Sequence, residues 1–427
     1  MNIIKRLPSI IIDQIAAGEV VEGPFSVIKE LVENSIDAKS TSIKIMISNG
    51  GMETIHVIDN GCGMYPLDLK QAFQRHATSK IKDIKDLDSI STLGFRGEAL
   101  PSIASVSQVK VSSTHDDNNN EGLELIIHGG ELLKESPKVG NSGTSMQISN
   151  IFYNIPARKN FLKTVNTEKK KVIKVVKDYI IANPNIAFEF YSDEKEVFKV
   201  GSGDLKARIL DIHGSNFHDN ILPVKNTKDL YKIYGFLGNL NTVKKTRGSQ
   251  YIYINGRSIN SRILSSAAFT SYDSLLKRGE FPFFVIFIEM PHELVDVNVH
   301  PAKHEVRFSN EWQLYHLIKS SFSEVLKDVL NVIPSLYKSA DSIKHQANIT
   351  MPFPGFQNSE KTQDMNVSDN KNSEILKINE RLNRIHEIKN DEKVDKTIWQ
   401  IHNKYLITEI NSGIIIVDQH VAHERVL

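Results

Sequence analysis

The chain reads as an α+β protein built on a mixed, largely antiparallel sheet, and three observations predict this class. Helical and strand patterns alternate from the N-terminus, two alternating runs are joined by a very short turn, and a smaller β-α-β series follows in the latter half. Ile10 to Val21 has helical spacing, and Pro24 to Asp37 forms a second helix with proline in its first turn, where a missing N–H costs nothing. Ile43-Lys44-Ile45-Met46-Ile47 alternates as a strand does, and Thr54 to Asp59 repeats the pattern after Asn49-Gly50-Gly51. So short a connection makes the pair a hairpin, which separates this sheet from the doubly wound parallel class. The second series begins near residue 216: a strand at Tyr251 to Asn255, a helix at Arg262 to Leu276, strands at Phe283 to Ile288 and Leu294 to Val299, and a long helix from Trp312 to Val332.

With 427 residues the chain is too long for one hydrophobic core and fits two domains plus an additional part. Hydrophobic residues at 40% and charged ones at 24% exclude collagen-like and wholly disordered classes. A net charge of +1 excludes a strongly basic polyanion-binding module, though not a local basic face. The single cysteine, Cys62, closes no internal disulfide and supplies no cysteine zinc cage, which points to a reducing compartment. Residues 1–8 lack the pattern of a secretion signal, and runs such as Phe283 to Ile288 are far shorter than the roughly 20 residues of a membrane-spanning helix. A soluble, cytoplasmic protein is expected.

Beyond about Tyr337, Asn, Lys, Ser, Glu and Asp dominate and aromatics vanish from Phe356 to Trp399, as in a flexible linker. Inside it Ile375, Leu376, Ile378, Leu382 and Ile385 recur at helical spacing, consistent with a transient amphipathic helix or a partner-docking one. From Ile398 the pattern is globular again, but the residues that follow are too few for a core. The expected organisation is therefore 1–215, 216–335, a linker at 336–396, and the start of a third domain at 397–427.

Several segments could carry chemistry. On the Pro24 to Asp37 helix, Val27, Ile28, Leu31, Val32 and Ser35 form one stripe, and Glu30, Asn34 and Asp37 stack on the other side. That polar face is either solvated, or it is a site in which Glu30 is a general base and Asn34 an oxygen ligand for Mg²⁺ one turn away. Asp59-Asn60-Gly61-Cys62-Gly63 leaves a strand into a turn; an aspartate there could accept the exocyclic amine of adenine while the glycines let the base approach the backbone. It is no dinucleotide fingerprint, because position 66 is proline, and the chain has no Walker-type P-loop. Leu93-Gly94-Phe95-Arg96-Gly97-Glu98 is a glycine-flanked loop opening onto a helix, whose backbone N–H groups suit phosphate oxygens.

Together, Glu30 to Ala38, Asp59 to Gly63, Gly94 to Leu100 and Gly143-Thr144 closely resemble the four ordered nucleotide-binding motifs of the GHKL ATPases, the group of gyrase, the heat-shock chaperone and histidine kinases. Gln14 to Val21, Arg75-His76-Ala77-Thr78-Ser79-Lys80 and Asn298 to Phe308, with His300-Pro301-Ala302-Lys303, are similar to the mismatch-repair branch of that group, the MutL family. The resemblance implies an α/β-sandwich ATPase domain followed by a smaller transducer domain of ribosomal-protein-like fold.

It also implies roles. Glu30 would polarise the attacking water, Asn34 would hold Mg²⁺, and Asp59 would read adenine, with Gly61, Gly63 and Thr144 in the base pocket. Residues 75–98 would form a lid, with Thr78, Ser79, Lys80, Gly94, Phe95, Arg96 and Gly97 touching the nucleotide, and Lys303 would reach the γ-phosphate from the second domain. ATP binding would join two N-terminal domains, and slow hydrolysis would release them, relaying recognition by the mismatch-binding protein MutS to a strand-incising endonuclease and a helicase. Arg262 would touch the DNA backbone; the lysines at 169, 170, 171, 174 and 177 are either further basic contacts or an ordinary solvated face.

Asp418 to Arg425 resembles the opening of the family's C-terminal dimerisation domain and partly matches a metal-dependent endonuclease motif. Val421 replaces that motif's alanine and its last glutamate would lie beyond Leu427, so nuclease activity is not expected of this chain. Two alternatives stand beside the ATPase reading: a scaffold that binds ATP without turnover, and a topoisomerase- or chaperone-type relative.

Overall fold

The computed structural model describes residues 17–18, 20–81, 92–94, 97–117, 121–272, 275–296, 307–308, 310–332, 398–401, 405–410 and 413–418. Lys303, Phe95, Arg96, the linker at 336–396 and residues 419–427 lie outside them, as do residues 10–16 and 19 of the expected first helix, of which Ala17, Gly18 and Val20 are helical and Val21 is not.

The Pro24–Asp37 helix (α1) and the strands Ser42–Ser48 (β1) and Thr54–Asp59 (β2) fall where their patterns put them. β1 and β2 pair antiparallel from Ile43–Asp59 to Ser48–Thr54. Their connection needs its glycines. Asn49, Gly50 and Gly51 all have positive φ, and a side chain on Gly50 would meet the Val165 carbonyl at 2.7 Å.

Short helices follow at Pro66–Gln71 (α2) and Ala99–Ser105 (α3), then strands Gln108–Thr114 (β3), Glu121–His128 (β4), Glu131–Val139 (β5) and Gly143–Ser149 (β6). Helices Pro156–Phe161 (α4) and Val165–Ala182 (α5) lead to strands Ala187–Ser192 (β7) and Lys195–Val200 (β8) and to helix Leu205–His213 (α6). The strands make one eight-stranded sheet in the order β5-β4-β3-β6-β2-β1-β7-β8. Every neighbouring pair is antiparallel except β1 and β7, so the sheet is mixed and largely antiparallel as expected.

Buried alternate positions of the central strands, Ile43, Ile45, Val57 and Val111 among them, pack against Val27, Ile28 and Val32 of α1 and Val172 and Val176 of α5. Arg208 of α6 is 1% exposed, and its guanidinium donates to the carbonyls of Ile180, Pro184, Ile186 and Gly201. One buried cation thereby satisfies the backbone between α5 and β8.

A second sheet is five-stranded, in the order β12-β11-β13-β10-β9. It comprises Ile221–Lys228 (β9), Tyr231–Gly238 (β10), Gln250–Ile254 (β11), Arg257–Ser258 (β12) and Phe284–Glu289 (β13), with helices Arg262–Tyr272 (α7) and Glu311–Val332 (α8). β11 and β13 are parallel and α7 lies between them in sequence, which is the expected β-α-β unit. Two features differ from expectation. The β9–β10 hairpin is absent from the sequence reading, because Pro223 and the polar run to Lys228 break the alternation of an edge strand. The expected strand at 294–299 is described only as Val295–Asp296 (β14), which pairs with Arg307–Phe308 (β15) apart from the five-stranded sheet.

The face of this sheet turned away from α7 and α8 carries Tyr251, Tyr253, Val285 and Phe287, which share a core cluster with Ile181 and Ile209 of the first domain. Tyr253 Oη donates to the Asp178 carbonyl at 2.8 Å. Residues 1–347 accordingly form one compact unit, and 348–427 another. In the latter, Ile398–Ile401 (β16), Tyr405–Ile410 (β17) and Gly413–Asp418 (β18) form an antiparallel meander. No helix among the described residues is long and apolar enough to cross a membrane.

Of the five lysines at 169, 170, 171, 174 and 177, three make contacts within the fold, and Lys170 and Lys174 are exposed. Lys169 pairs with Asp193 at 3.1 Å, Lys171 pairs with Glu168 at 2.8 Å, and Lys177 lies half-buried over the Tyr251 ring. Burial, and then Lys244, lower the Lys177 ammonium to about 8.

His213 sits in the same junction between the rings of Phe217, Tyr251 and Phe283. Burial, with Lys177 and Lys244 beside it, holds its imidazole down at about 3. An unfolded chain takes up a proton on His213 below about 6.5 that the folded chain refuses, so this residue costs stability as pH falls from 6.5 toward 3 and nothing above. His213→Gln is expected to flatten that acid limb in urea unfolding followed at several pH values; an unchanged limb would contradict this assignment.

Candidate functional site

A cleft of about 830 Å³ lies between the polar face of α1, the ends of β2 and β6, and the segments at 72–80 and 92–100. Glu30, Asn34, Asp59, Gly63, Thr78, Ser79, Lys80, Gly94, Gly97 and Thr144 all line it, so residues more than a hundred positions apart converge on one space. Gly61 stands behind the wall, packed on Ala38 and Ser40. Arg262 is exposed at the start of α7, outside the cleft.

The polar face of α1 is not an ordinary solvated face. The side chains of Lys29 and Glu33 are only 8% and 6% exposed, and that of Glu30 is 15% exposed. Lys29 Nζ lies 3.2 Å from Glu30 Oε1 and 3.3 Å from Glu33 Oε1. Burial alone would lower the Lys29 ammonium, but Glu33 and Glu30 outweigh it and raise it. The Tyr179 hydroxyl donates to Glu33 at 2.6 Å, and burial followed by that carboxylate pushes its pKa far up. Glu30 is thus set 3.2 Å from a buried ammonium at the edge of the cleft.

One and two turns further along α1, Lys80 Nζ donates to Asn34 Oδ1 at 2.9 Å and to Asp37 Oδ2 at 2.5 Å. Asp37 also accepts the backbone N–H groups of Leu93 at 2.9 Å and Gly94 at 3.1 Å. The one oxygen expected to serve a divalent cation, Asn34 Oδ1, therefore already holds a cation, the lysine ammonium, which it shares with Asp37. Neutral and anionic oxygen donors one turn apart suit Mg²⁺, which takes few protein ligands and completes its shell with phosphate and water. Asn34 and its surroundings fit the ion on that ground.

Asp59 is held by three donors: Ser35 Oγ at 2.9 Å, Gly61 N at 2.9 Å and Thr144 N at 3.3 Å. Ser35, placed by spacing in the apolar stripe, is buried as expected and at the same time orients this carboxylate. Gly63 has φ +67°, and any side chain there would collide with the Thr114 carbonyl. Asn60 plays a local part, accepting from the N–H groups of Thr41 and Ser42 at 2.9 and 2.8 Å where β1 begins.

Sequence reasoning gave no role to Tyr65 and His115, which stack at 3.8 Å where the cleft opens. They are fifty positions apart, and no local pattern links them. Asp37 was noted only as a member of the polar face; the loop it binds comes from far along the chain.

Three family models match. "Histidine kinase-, DNA gyrase B-, and HSP90-like ATPase" covers residues 22–129, "DNA mismatch repair protein, C-terminal domain" covers 209–327, and "MutL C terminal dimerisation domain" covers 398–427. The DNA mismatch repair protein MutL of Christiangramia forsetii is 37% identical, over 100% of this chain and 75% of its own length. That of Chloroherpeton thalassium is 34% identical, over 100% and 76%. A solved structure titled as the N-terminal domain of a DNA repair protein is 25% identical with a TM-score of 0.66, covering 76% of this chain and all of that one.

The cleft and the sheet around it define a GHKL-type ATPase domain, followed here by a transducer domain. The chain belongs to the MutL family of DNA mismatch repair proteins, which sets aside the topoisomerase and chaperone alternatives. It also carries sequence of the dimerisation domain through which such chains self-associate.

Asp59→Asn should lower nucleotide affinity at least tenfold while leaving the folded state intact, because it replaces one carboxylate acceptor on the cleft wall while the backbone donors keep an oxygen. Titration with a fluorescent ATP analogue measures this, and wild-type affinity in the variant would contradict it.

Proposed function

We propose that this chain is an ATP-driven switch in mismatch repair: it binds ATP with Mg²⁺, joins its N-terminal domains, and separates them on slow hydrolysis. The observation that supports this most is the convergence of Glu30, Asn34, Asp37 and Asp59 on one cleft beside a glycine-lined wall. Glu30, next to the Lys29 ammonium, takes the proton of the attacking water. Asp59 accepts the exocyclic amine of adenine, with Thr144 and Gly63 shaping the base pocket. Asn34 holds Mg²⁺, which when bound neutralises charge on the phosphate oxygens. With the ion at Asn34, the Lys80 ammonium would keep Asp37 as its partner and stand near the phosphates together with the N–H groups near Gly94 and Gly97.

The remaining assignments follow the family reading. Lys303 approaches the γ-phosphate from the second domain, Phe95 and Arg96 belong to the lid at 75–98, and Arg262 contacts DNA phosphates without sequence preference. Domain limits at 215, 335 and 396 accommodate this division of labour. ATP promotes association only because the dimer binds it more tightly than the monomer does. In that state the protein passes recognition by MutS to a strand-incising endonuclease and a helicase in the cytoplasm.

The test is steady-state ATP hydrolysis with Mg²⁺ by wild type and Glu30→Ala, with nucleotide binding measured on both. Turnover should fall by at least about a hundredfold in the variant while binding stays nearly unchanged. Binding without turnover in either protein would favour a nucleotide-dependent scaffold, and no binding in wild type would overturn the reading.

A further inference from the structure

The short strand β12 belongs to the second domain, yet Arg257 at its start reaches into the first. Its Nη2 donates to the Thr92 carbonyl at 2.6 Å and its Nη1 to the Leu93 carbonyl at 3.0 Å. The N–H groups of Leu93 and Gly94 point the other way, to the Asp37 carboxylate. The peptide at 92–94 is therefore held between a guanidinium on one domain and a carboxylate on the other. Each hydrogen bond is charge-assisted, and the fork of the guanidinium fixes two successive carbonyls at once.

The arginine is aimed by its own hairpin. Ile254 pairs with Arg257 across Asn255-Gly256, whose φ values of 47° and 79° are those of a tight two-residue turn. The Asn255 side chain donates to the Met290 carbonyl at 2.9 Å and accepts the Met290 N–H at 3.0 Å, and the Asn255 N–H donates to the Ile288 carbonyl at 3.0 Å. The turn is thus locked to the end of β13. A rigid hairpin presenting one planar cation to two carbonyls is a poor design for a solvated arginine and a good one for a clamp.

We propose that Arg257 is a positioning residue for nucleotide turnover, holding the peptide at 92–94 against Asp37 so that Gly94 and the Asn34–Asp37 end of α1 are pre-arranged for the phosphates. The proposal rests on the nucleotide reading of the cleft and extends it: the second domain sets the geometry of the site through this contact, and a movement of β12 changes nucleotide affinity. Gly94 is the element transmitted, since it lines the cleft and its N–H is fixed by the carboxylate one turn beyond Asn34.

The experiment compares full-chain wild type, Arg257→Ala and Arg257→Lys in ATP hydrolysis with Mg²⁺, hydrogen exchange of peptides covering 92–94, and thermal unfolding without nucleotide. If the competent arrangement drops from dominant to a minor fraction, KM for ATP rises in proportion, by about fivefold or more in Arg257→Ala, with a smaller change in kcat. Exchange at Leu93 and Gly94 accelerates, the unfolding midpoint shifts by no more than about 2 °C, and Arg257→Lys, which keeps the charge and loses the fork, falls between. Wild-type KM and exchange in both variants would overturn the proposal, as would a lowered midpoint with KM unchanged, which marks a purely structural role. Loss of affinity for a short DNA duplex with KM unchanged would overturn it too, by assigning Arg257 to DNA. Failure of wild type itself to bind ATP would instead overturn the reading of the cleft, before any substitution is compared.

Discussion

Burying charge along one side of α1 is the constraint on which the site depends. A helix of fourteen residues gives one stripe to the core and sets Lys29, Glu30, Glu33, Asn34 and Asp37 along the remainder, with Lys29 and Glu33 almost wholly out of water. Charges so placed are tolerated only when paired and hydrogen-bonded. Lys29 pairs with Glu30 and Glu33 on the helix itself, and the other partners come from distant parts of the chain: Tyr179 of α5 for Glu33, Lys80 for Asn34, and Leu93 and Gly94 for Asp37. Satisfying the helix therefore assembles the cleft. Ser35, on the boundary between the two stripes, extends the arrangement to Asp59 on the neighbouring strand.

A site built this way is adjustable where a hydrophobic one would be fixed. In the proposed switch, a divalent cation would take the Asn34 oxygen that the Lys80 ammonium holds, so nucleotide binding with its metal would exchange one cation for another instead of desolvating bare oxygens. Core strands β1 and β2 support this polar floor from below, and glycines at 61 and 63 are required by contacts that leave no room for a side chain. The second domain joins through an apolar junction around Tyr253 and Phe287 and through the forked contact of Arg257.

Much of the fold could be read from pattern. The α1 apolar stripe, the alternation of β1 and β2 and the Asn-Gly-Gly turn carry local signals, and each element appears within a residue or so of its expected limits. The β9–β10 hairpin was harder to read, because Pro223 and the polar run to Lys228 obscure the edge strand β9, which is fixed by its pairing with β10. For the site, Glu30, Asn34 and Asp59 were visible as residue types at suggestive spacings, but the helix alone could not separate a solvated face from a buried one. That distinction lies in Tyr179 and Lys80, far from α1 in sequence. Arg257 was passed over for the same reason: nothing near it announces that its acceptors lie 164 and 165 positions away.

The proposed switch turns on Asn34 giving up a lysine ammonium for a nucleotide-bound metal. The most direct measurement is calorimetric titration of a non-hydrolysable ATP analogue into wild type and Asn34→Ala, each with Mg²⁺ and with EDTA. The account predicts that Mg²⁺ tightens binding to wild type by at least about tenfold and has little effect on the variant. An equal Mg²⁺ dependence in both proteins would contradict it.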